Sequence, residues 1–183
     1  MIEKFLIAHC SPTLANLKTA NLFNFGCASV DELNYQIEKW NGELNPKGVK
    51  IAVLRIRSGD TLIYVYREGK LEADLRRDGV EAFLTKMGYD DFTVNSAIQK
   101  LSNRFSLNDE FPHEIGLFLG YPLGDVKGFI ENKGRASKCT GCWKVYGNEC
   151  KTVRLFEKFK KCRAIYWRLF QNGTPITRLT VDT

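Results

Sequence analysis

The chain has 183 residues, with 27 Lys and Arg against 21 Asp and Glu, for a formal net charge of +6. Apolar residues make up 44% and charged residues 26%, a globular mixture that excludes a disordered chain, a collagen-like chain and a coiled-coil rod. Six cysteines are too sparse for a small disulfide scaffold, and the length fits one domain, expected to span residues 1–183 and to bury a core without a staple.

The opening Met1-Ile2-Glu3-Lys4-Phe5-Leu6-Ile7-Ala8-His9 holds an apolar run too short for an export signal, and no run reaches the ~20 residues of a membrane span. The cysteines (Cys10, Cys27, Cys139, Cys142, Cys150 and Cys162) are therefore expected as reduced thiols in a cytosol. Residues 2–9 suit a short helix or a strand. Ser11-Pro12 predicts a helix start, with Ser as N-cap and Pro in the first turn, and with Leu14, Leu17 and Leu22 on the buried side. Ser29-x-x-Glu32 is a capping box, opening a helix through about Trp40 that ends at Gly42. Residues 49–57 alternate, residues 61–67 are β-branched and aromatic, and Ser58-Gly59-Asp60 between them predicts a hairpin. Residues 70–87 read as helix with a break at Asp78-Gly79, and residues 93–105 as another.

Pro112 opens a compact helix from His113 to Leu119, stopped by Gly120-Tyr121-Pro122. A second short helix is expected from Asp125 to about Asn132, then a strand over 142–146 and a long helix over 151–170. Asn172-Gly173 turns the chain into a final strand from Ile176 to Val181. The sum is an α+β single domain: a small, mostly antiparallel sheet packed with several helices, its strand order left open.

Charge is unevenly spread. Residues 1–92 carry 12 basic and 13 acidic side chains, residues 93–183 carry 15 and 8, and Lys133 to Arg168 holds 11 basic residues against only Glu149 and Glu157. On the long helix, Leu155, Phe159, Cys162, Tyr166 and Leu169 form a buried seam at helical spacing. Lys151, Arg154, Lys158, Lys161 and Arg168 form a basic stripe beside it, near Trp143, Tyr146 and Trp167. Such a stripe suits nucleic acid or another anionic partner, or simply a solvated face; two or three of its side chains would hold a small anion.

Cys139-Thr140-Gly141-Cys142, followed by Cys150 and Cys162, raises zinc, an iron–sulfur cluster or a redox pair. Only the first two thiols are closely spaced, and the pair precedes a strand rather than opening a helix. No metal ligand set is therefore assigned, and no cofactor is named. His9-Cys10 lies just before the expected helix start at Ser11-Pro12, which would stabilise a thiolate; Cys10 with His113 meets the minimum for thiol nucleophilic catalysis. Gly116, Gly120, Gly124 and Gly128 recur every four residues without a phosphate-loop pattern, which points to close helix packing.

Three segments carry a resemblance. His9-Cys10-x-Pro12-Thr13-Leu14 with Lys18 and Asn21-Leu22 is the first. Pro112-His113-Glu114-Ile115-Gly116-Leu117-Phe118-Leu119-Gly120-Tyr121-Pro122, continued by Asp125-Val126-x-Gly128-Phe129, is the densest, and Gly141-x-Trp143-Lys144-Val145-Tyr146-Gly147 is the third. Together they resemble domain-of-unknown-function family 3793, a bacterial family frequent in clostridia and other gut anaerobes. The resemblance implies a single-domain cytosolic protein of an anaerobe, and it singles out Cys10, Lys18, His113, Glu114, Lys144 and Tyr146. Cys142 stands where the family pattern has an aromatic, which makes the C-x-x-C incidental.

Three functions follow as expectations. The leading one is a binder or enzyme for a small anionic molecule, with a site built from the His9–Lys18 segment, the His113 turn and the Trp143–Tyr146 strand. There Lys18, Arg67 and Lys144 hold the anion, Cys10 or His113 moves protons or attacks, and His9, Asn21, Glu114 and Tyr146 complete the contacts. The second is a nucleic-acid or anionic-partner module using the basic helix. The third is iron or haem handling through His9, Cys10 or His113.

Overall fold

Period-two alternation builds the centre of the molecule. In the computed structural model, which describes residues 2–26, 29–57, 59–107, 111–147 and 149–182 (only the backbone at Glu149 and Lys151), strands β2 (Val49–Arg57) and β3 (Asp60–Arg67) form the expected antiparallel hairpin. Gly59 takes φ +78 in its turn; Ser58 of that turn, like Cys27, lies outside the described residues. A bulge at Leu54 shifts the register between Val53 and Arg55. A strand that the sequence did not suggest, Ala20–Phe25, pairs with the other edge of β3; as the first strand in the chain it is β1, and the order is β1-β3-β2.

Each face of this sheet carries a core. On one side Phe23, Phe25, Val49, Ile51, Ile63 and Val65 meet α1 (Glu3–Leu14) and α2 (Val30–Leu44). On the other, Leu54, Leu62, Tyr64 and Tyr66 meet α3 (Glu68–Leu75), α4 (Val80–Lys86), α5 (Val94–Leu107), α6 (Ile115–Phe118) and α7 (Leu123–Glu131). A two-stranded ribbon, β4 (Cys139–Thr140) with β5 (Lys144–Val145), follows α7. The long α8 (Glu149–Gln171) serves both cores: Phe156 packs on the second, and Tyr166, Leu169 and Phe170 on the first. A short α9 (Ile176–Leu179) closes the first core. The architecture is α+β with a small antiparallel sheet, as the patterning required.

Several boundaries differ from expectation. Ser11-Pro12 does not start a helix. Both residues sit in the last turns of α1, because the apolar run from Leu6 to Cys10 is already helical. Pro12 forgoes one N–H near the helix end, and the Ser11 hydroxyl donates to the Ile7 carbonyl. Leu17 is exposed rather than buried. Helix α2 is capped by Ser29 as expected but runs past Gly42 to Leu44. The expected strand over 142–146 shrinks to β5, with Cys142 in the preceding turn. Ile176–Val181 is not a strand: Pro175 opens α9, whose buried Ile176 and Leu179 lie three apart, and Val181 makes one backbone bond to the Leu14 carbonyl.

Candidate functional site

The turn after α1 creates the site. Asn16 takes a left-handed φ of +57, and the Leu17 and Lys18 amides both donate to the Pro12 carbonyl at 2.9 and 3.1 Å. This folds the chain back so that Lys18 points toward the segment after α6. There Gly120 adopts φ +84, and a Cβ on it would stand 2.5 Å from the Thr19 hydroxyl oxygen, so the two turns meet at a position that only glycine fits. Thr19 in turn donates to the Asp74 carboxylate of α3 at 2.5 Å. Tyr121 follows, its hydroxyl donating to the Cys142 carbonyl at 3.2 Å and its ring stacked on Trp143 with centroids 4.9 Å apart.

Lys18 is 7% exposed, and its Nζ stands 4.8 Å from the centre of the Tyr121 ring. It makes no ion pair and no hydrogen bond from its ammonium among the described residues. Burial lowers its pKa to about 8; the Cys142 thiol opposes that shift, the Arg163 guanidinium adds to it, and Cys10 opposes it.

Two cavities open on Lys18. The first, of about 540 Å³, is lined by Lys18, Lys70, Arg77, Arg154 and Lys158, and by the apolar walls Leu17, Leu155, Phe156 and Phe159. No Asp or Glu is among its described lining residues. Arg77 is already engaged by Asp74 at 2.5 Å; Lys70, Arg154 and Lys158 make no ion pair among the described residues. The second cavity, of about 460 Å³, is lined by Asn21, Cys142, Lys160 and Arg163, and shares Lys18, Leu119, Tyr121 and Phe156 with the first. Arg163 Nη2 donates to Cys142 Sγ at 3.6 Å. Leu155, expected on the buried seam, is 41% exposed. It keeps the seam's orientation, but at this end of α8 the cavity lies beneath it in place of core. Phe159 and Cys162 are buried as that seam required, and Tyr166 and Leu169 partly so.

The other expected site residues fall elsewhere. Cys10 is fully buried among the α1 side chains of the first core, and burial drives its thiol pKa far up, against weaker lowering by Lys18 and Arg163. It sits near the C-terminal end of α1, so the helix-start thiolate environment is not formed. His113 is exposed on the other side of the sheet, its ring 5.0 Å from Phe129 and 6.3 Å from Phe111. Cys10 and His113 line none of the described cavities and are not brought together. His9 stacks against Phe5 and Phe23, at 6.0 and 5.5 Å, in a three-ring cluster, and its pKa is lowered by burial and then by Arg163.

Glu114 is buried in an ion pair with Arg104 and accepts from the Tyr89 hydroxyl at 3.2 Å. Arg67 is fully buried and donates to four backbone carbonyls, those of Thr13, Leu14, Lys47 and Val181. Lys144 donates to the Gly134 carbonyl, and the Tyr146 hydroxyl to the Arg135 carbonyl at 2.9 Å. Asn21 lines the second cavity and accepts from the Thr13 hydroxyl at 2.8 Å. Of the expected ligand residues, then, Lys18 and Asn21 share a cavity, while Arg67, Glu114, Lys144 and Tyr146 are engaged within the protein.

On α8, Arg154, Lys158, Lys161 and Arg168 are all exposed, and only the first two line the cleft; the Lys151 side chain lies outside the description. Among the described residues no group of three or more His, Cys, Asp or Glu is arranged to hold a metal, and Cys10, Cys142, Cys150 and Cys162 are free thiols. Gly116 lies against Val126 and Trp143, and Gly128 against the Tyr146 ring, which is close packing; Gly124 faces open space. Sequence reading missed Tyr121, Lys70, Arg77, Phe156 and Arg163. Tyr121 stood inside the densest motif, but as part of a helix stop it gave no sign of its ring.

The family model described as "Protein of unknown function (DUF3793)" matches residues 6–180, and the chain belongs to that family. No curated protein and no solved structure matches the chain.

Proposed function

We propose that this DUF3793 protein binds a small anionic molecule with an apolar portion in the cleft over Lys18, either to carry it or to act on it. The observation that carries this reading is Lys18 itself: a buried ammonium, opening into two cavities, with no anionic partner among the described residues. Burying a charge costs several kcal/mol unless a counter-charge or hydrogen bonds compensate it. A bound phosphate or carboxylate supplies that compensation. Arg154 and Lys158 stand ready to share the head group, and Leu17, Leu155 and Phe156 offer an apolar wall to the rest of the ligand. The volume suits a metabolite-sized molecule.

The competing reading is a nucleic-acid surface along α8, for which Lys161 and Arg168 point outward beyond the cleft. Calorimetric titration separates the two. Pyrophosphate, citrate and a nucleoside triphosphate are the probes, in ~50 mM salt. Binding weakened at least tenfold by Lys18→Met, and unchanged by a Lys161→Ala/Arg168→Ala double substitution, supports the cleft. The reverse pattern, or no small-anion binding below millimolar concentration, rejects it.

A further inference from the structure

We propose that Lys18 is a nucleophile that forms an imine with the carbonyl carbon of an anionic aldehyde or 2-oxo acid held in this cleft, an inference that rests on the anion-binding reading above. Three observations meet at this residue. Lys18 lines both cavities, and its Nζ stands 4.8 Å from the ring of Tyr121, which also lines both. Its described neighbours are an aromatic ring, a thiol and a guanidinium rather than a carboxylate that would hold it as ammonium. Other cations (Arg154 and Lys158 in the first cavity, Lys160 and Arg163 in the second) share a ligand's charge with Lys18, so its amine can reach a carbonyl carbon beside the anionic group.

The step balances without a further reagent. The amine lone pair attacks the carbonyl carbon and a C–N bond forms; the C–O bond then breaks, and both amine hydrogens leave with that oxygen as water. Hydrolysis reverses it. An amine must be neutral to attack. With a pKa of about 8, roughly a tenth of Lys18 is neutral at pH 7, against about one part in three thousand for an ordinary lysine. Burial sets this balance first, Cys142 opposes it, Arg163 adds to it and Cys10 opposes it, while the Tyr121 ring lies 4.8 Å from Nζ. The neutral imine then takes a proton from water at its nitrogen, and the resulting iminium is again a cation over the Tyr121 ring, where a cation is already accommodated.

The test is reductive trapping. The native chain is incubated with glyoxylate or pyridoxal phosphate, reduced with cyanoborohydride, and mapped by peptide mass spectrometry. The expected result is an adduct on Lys18 at least tenfold above any other lysine, competed by pyrophosphate, and rising in yield from pH 7 to pH 8.5. Labelling that follows the exposure of the lysines, with Lys18 among the least modified, overturns the proposal on the native chain alone. Lys18→Arg, checked for folding by circular dichroism, keeps a cation but cannot form the imine. Pyrophosphate binding by the native chain with no Lys18 adduct refutes the imine and spares anion binding, whereas loss of both refutes the reading beneath it.

Discussion

Arg67 tests whether the site has been located correctly, since sequence reasoning made it an anion ligand and the structure gives it other work. Its Nε donates to the Thr13 carbonyl at 2.6 Å, Nη2 to Leu14 and Val181 at 2.7 Å each, and Nη1 to Lys47 at 3.2 Å. Thr13 and Leu14 end α1, where a cation also meets the negative pole of the helix. In Arg67→Met the Thr13 carbonyl keeps the Asn16 amide and the Leu14 carbonyl keeps the Val181 amide, but the carbonyls of Lys47 and Val181 lose this donor.

Hydrogen bonds from a charged donor contribute about 1.5–3 kcal/mol each. Three short ones, offset by release of a buried cation, leave a net loss of roughly 3–4 kcal/mol. For a chain of this length that lowers the melting temperature by about 10 °C. Thermal denaturation followed by circular dichroism measures it. Pyrophosphate affinity, taken well below the melting point, should stay within twofold, because Arg67 lines neither cavity over Lys18. A melting temperature within about 2 °C of the native chain, or a tenfold loss of affinity in a folded variant, refutes the reasoning.

Other outcomes follow from the same geometry. Gly128→Ala forces a Cβ to 2.5 Å from the Tyr146 ring and should cost about 1–3 kcal/mol, while Gly124→Ala, which meets nothing within 4 Å, should be neutral or stabilising by up to about 1 kcal/mol; urea melts compare them. Alkylation by iodoacetamide at pH 8 should modify exposed Cys150 and half-buried Cys142 before Cys162, and leave Cys10 unmodified until unfolding, as mass mapping over time would record; early loss of Cys10 contradicts its burial. Lys18 sets a pH dependence. Its folded pKa of about 8 lies below the unfolded value near 10.5, so between those values the unfolded chain binds more protons, and stability gains with rising pH. Below pH 8 both states are protonated, and the cost of the buried charge is fully present. The raised thiols and phenols act the opposite way above pH 9. The informative quantity is therefore the difference between native chain and Lys18→Met, which should move in favour of the native chain from pH 8 to pH 10; a flat difference contradicts it.

The parts of the fold written in a single period were legible. Val49, Ile51 and Val53 alternate, Gly59 permits the turn, and the hairpin formed as read. Ala97, Ile98, Leu101 and Phe105 gave α5 by helical spacing. Strand β1 escaped because Asn21 and Asn24 are poor strand formers, and their segment reads as a continuation of the leucines before it. It is a strand because β3 offers it a free edge, which is a tertiary fact. Pro12 misled in the same way: local chemistry favours it at a helix start, yet the core under Leu6, Ile7 and Cys10 carries the helix through it.

The site divides likewise. Lys18 stood out through its motif, but whether a cation in such a motif faces a ligand or the protein's own carbonyls depends on contacts far away in the chain. Lys18 and Arg67 are both buried cations. Arg67 meets carbonyls from residues 13, 14, 47 and 181, and Lys18 meets an aromatic ring and two cavities. Nothing in the local sequence distinguishes them. Leu155 shows the converse, since its spacing promised burial and its exposure marks where the cleft begins.

The most direct measurement is a crystal of the protein soaked in tungstate, a tetrahedral dianion whose tungsten is located by anomalous scattering. A strong peak is expected inside the first cavity, within hydrogen-bond reach of Lys18 Nζ and flanked by Arg154 or Lys158. Peaks confined to the outward side chains of Lys161 and Arg168, with none at Lys18, would contradict it.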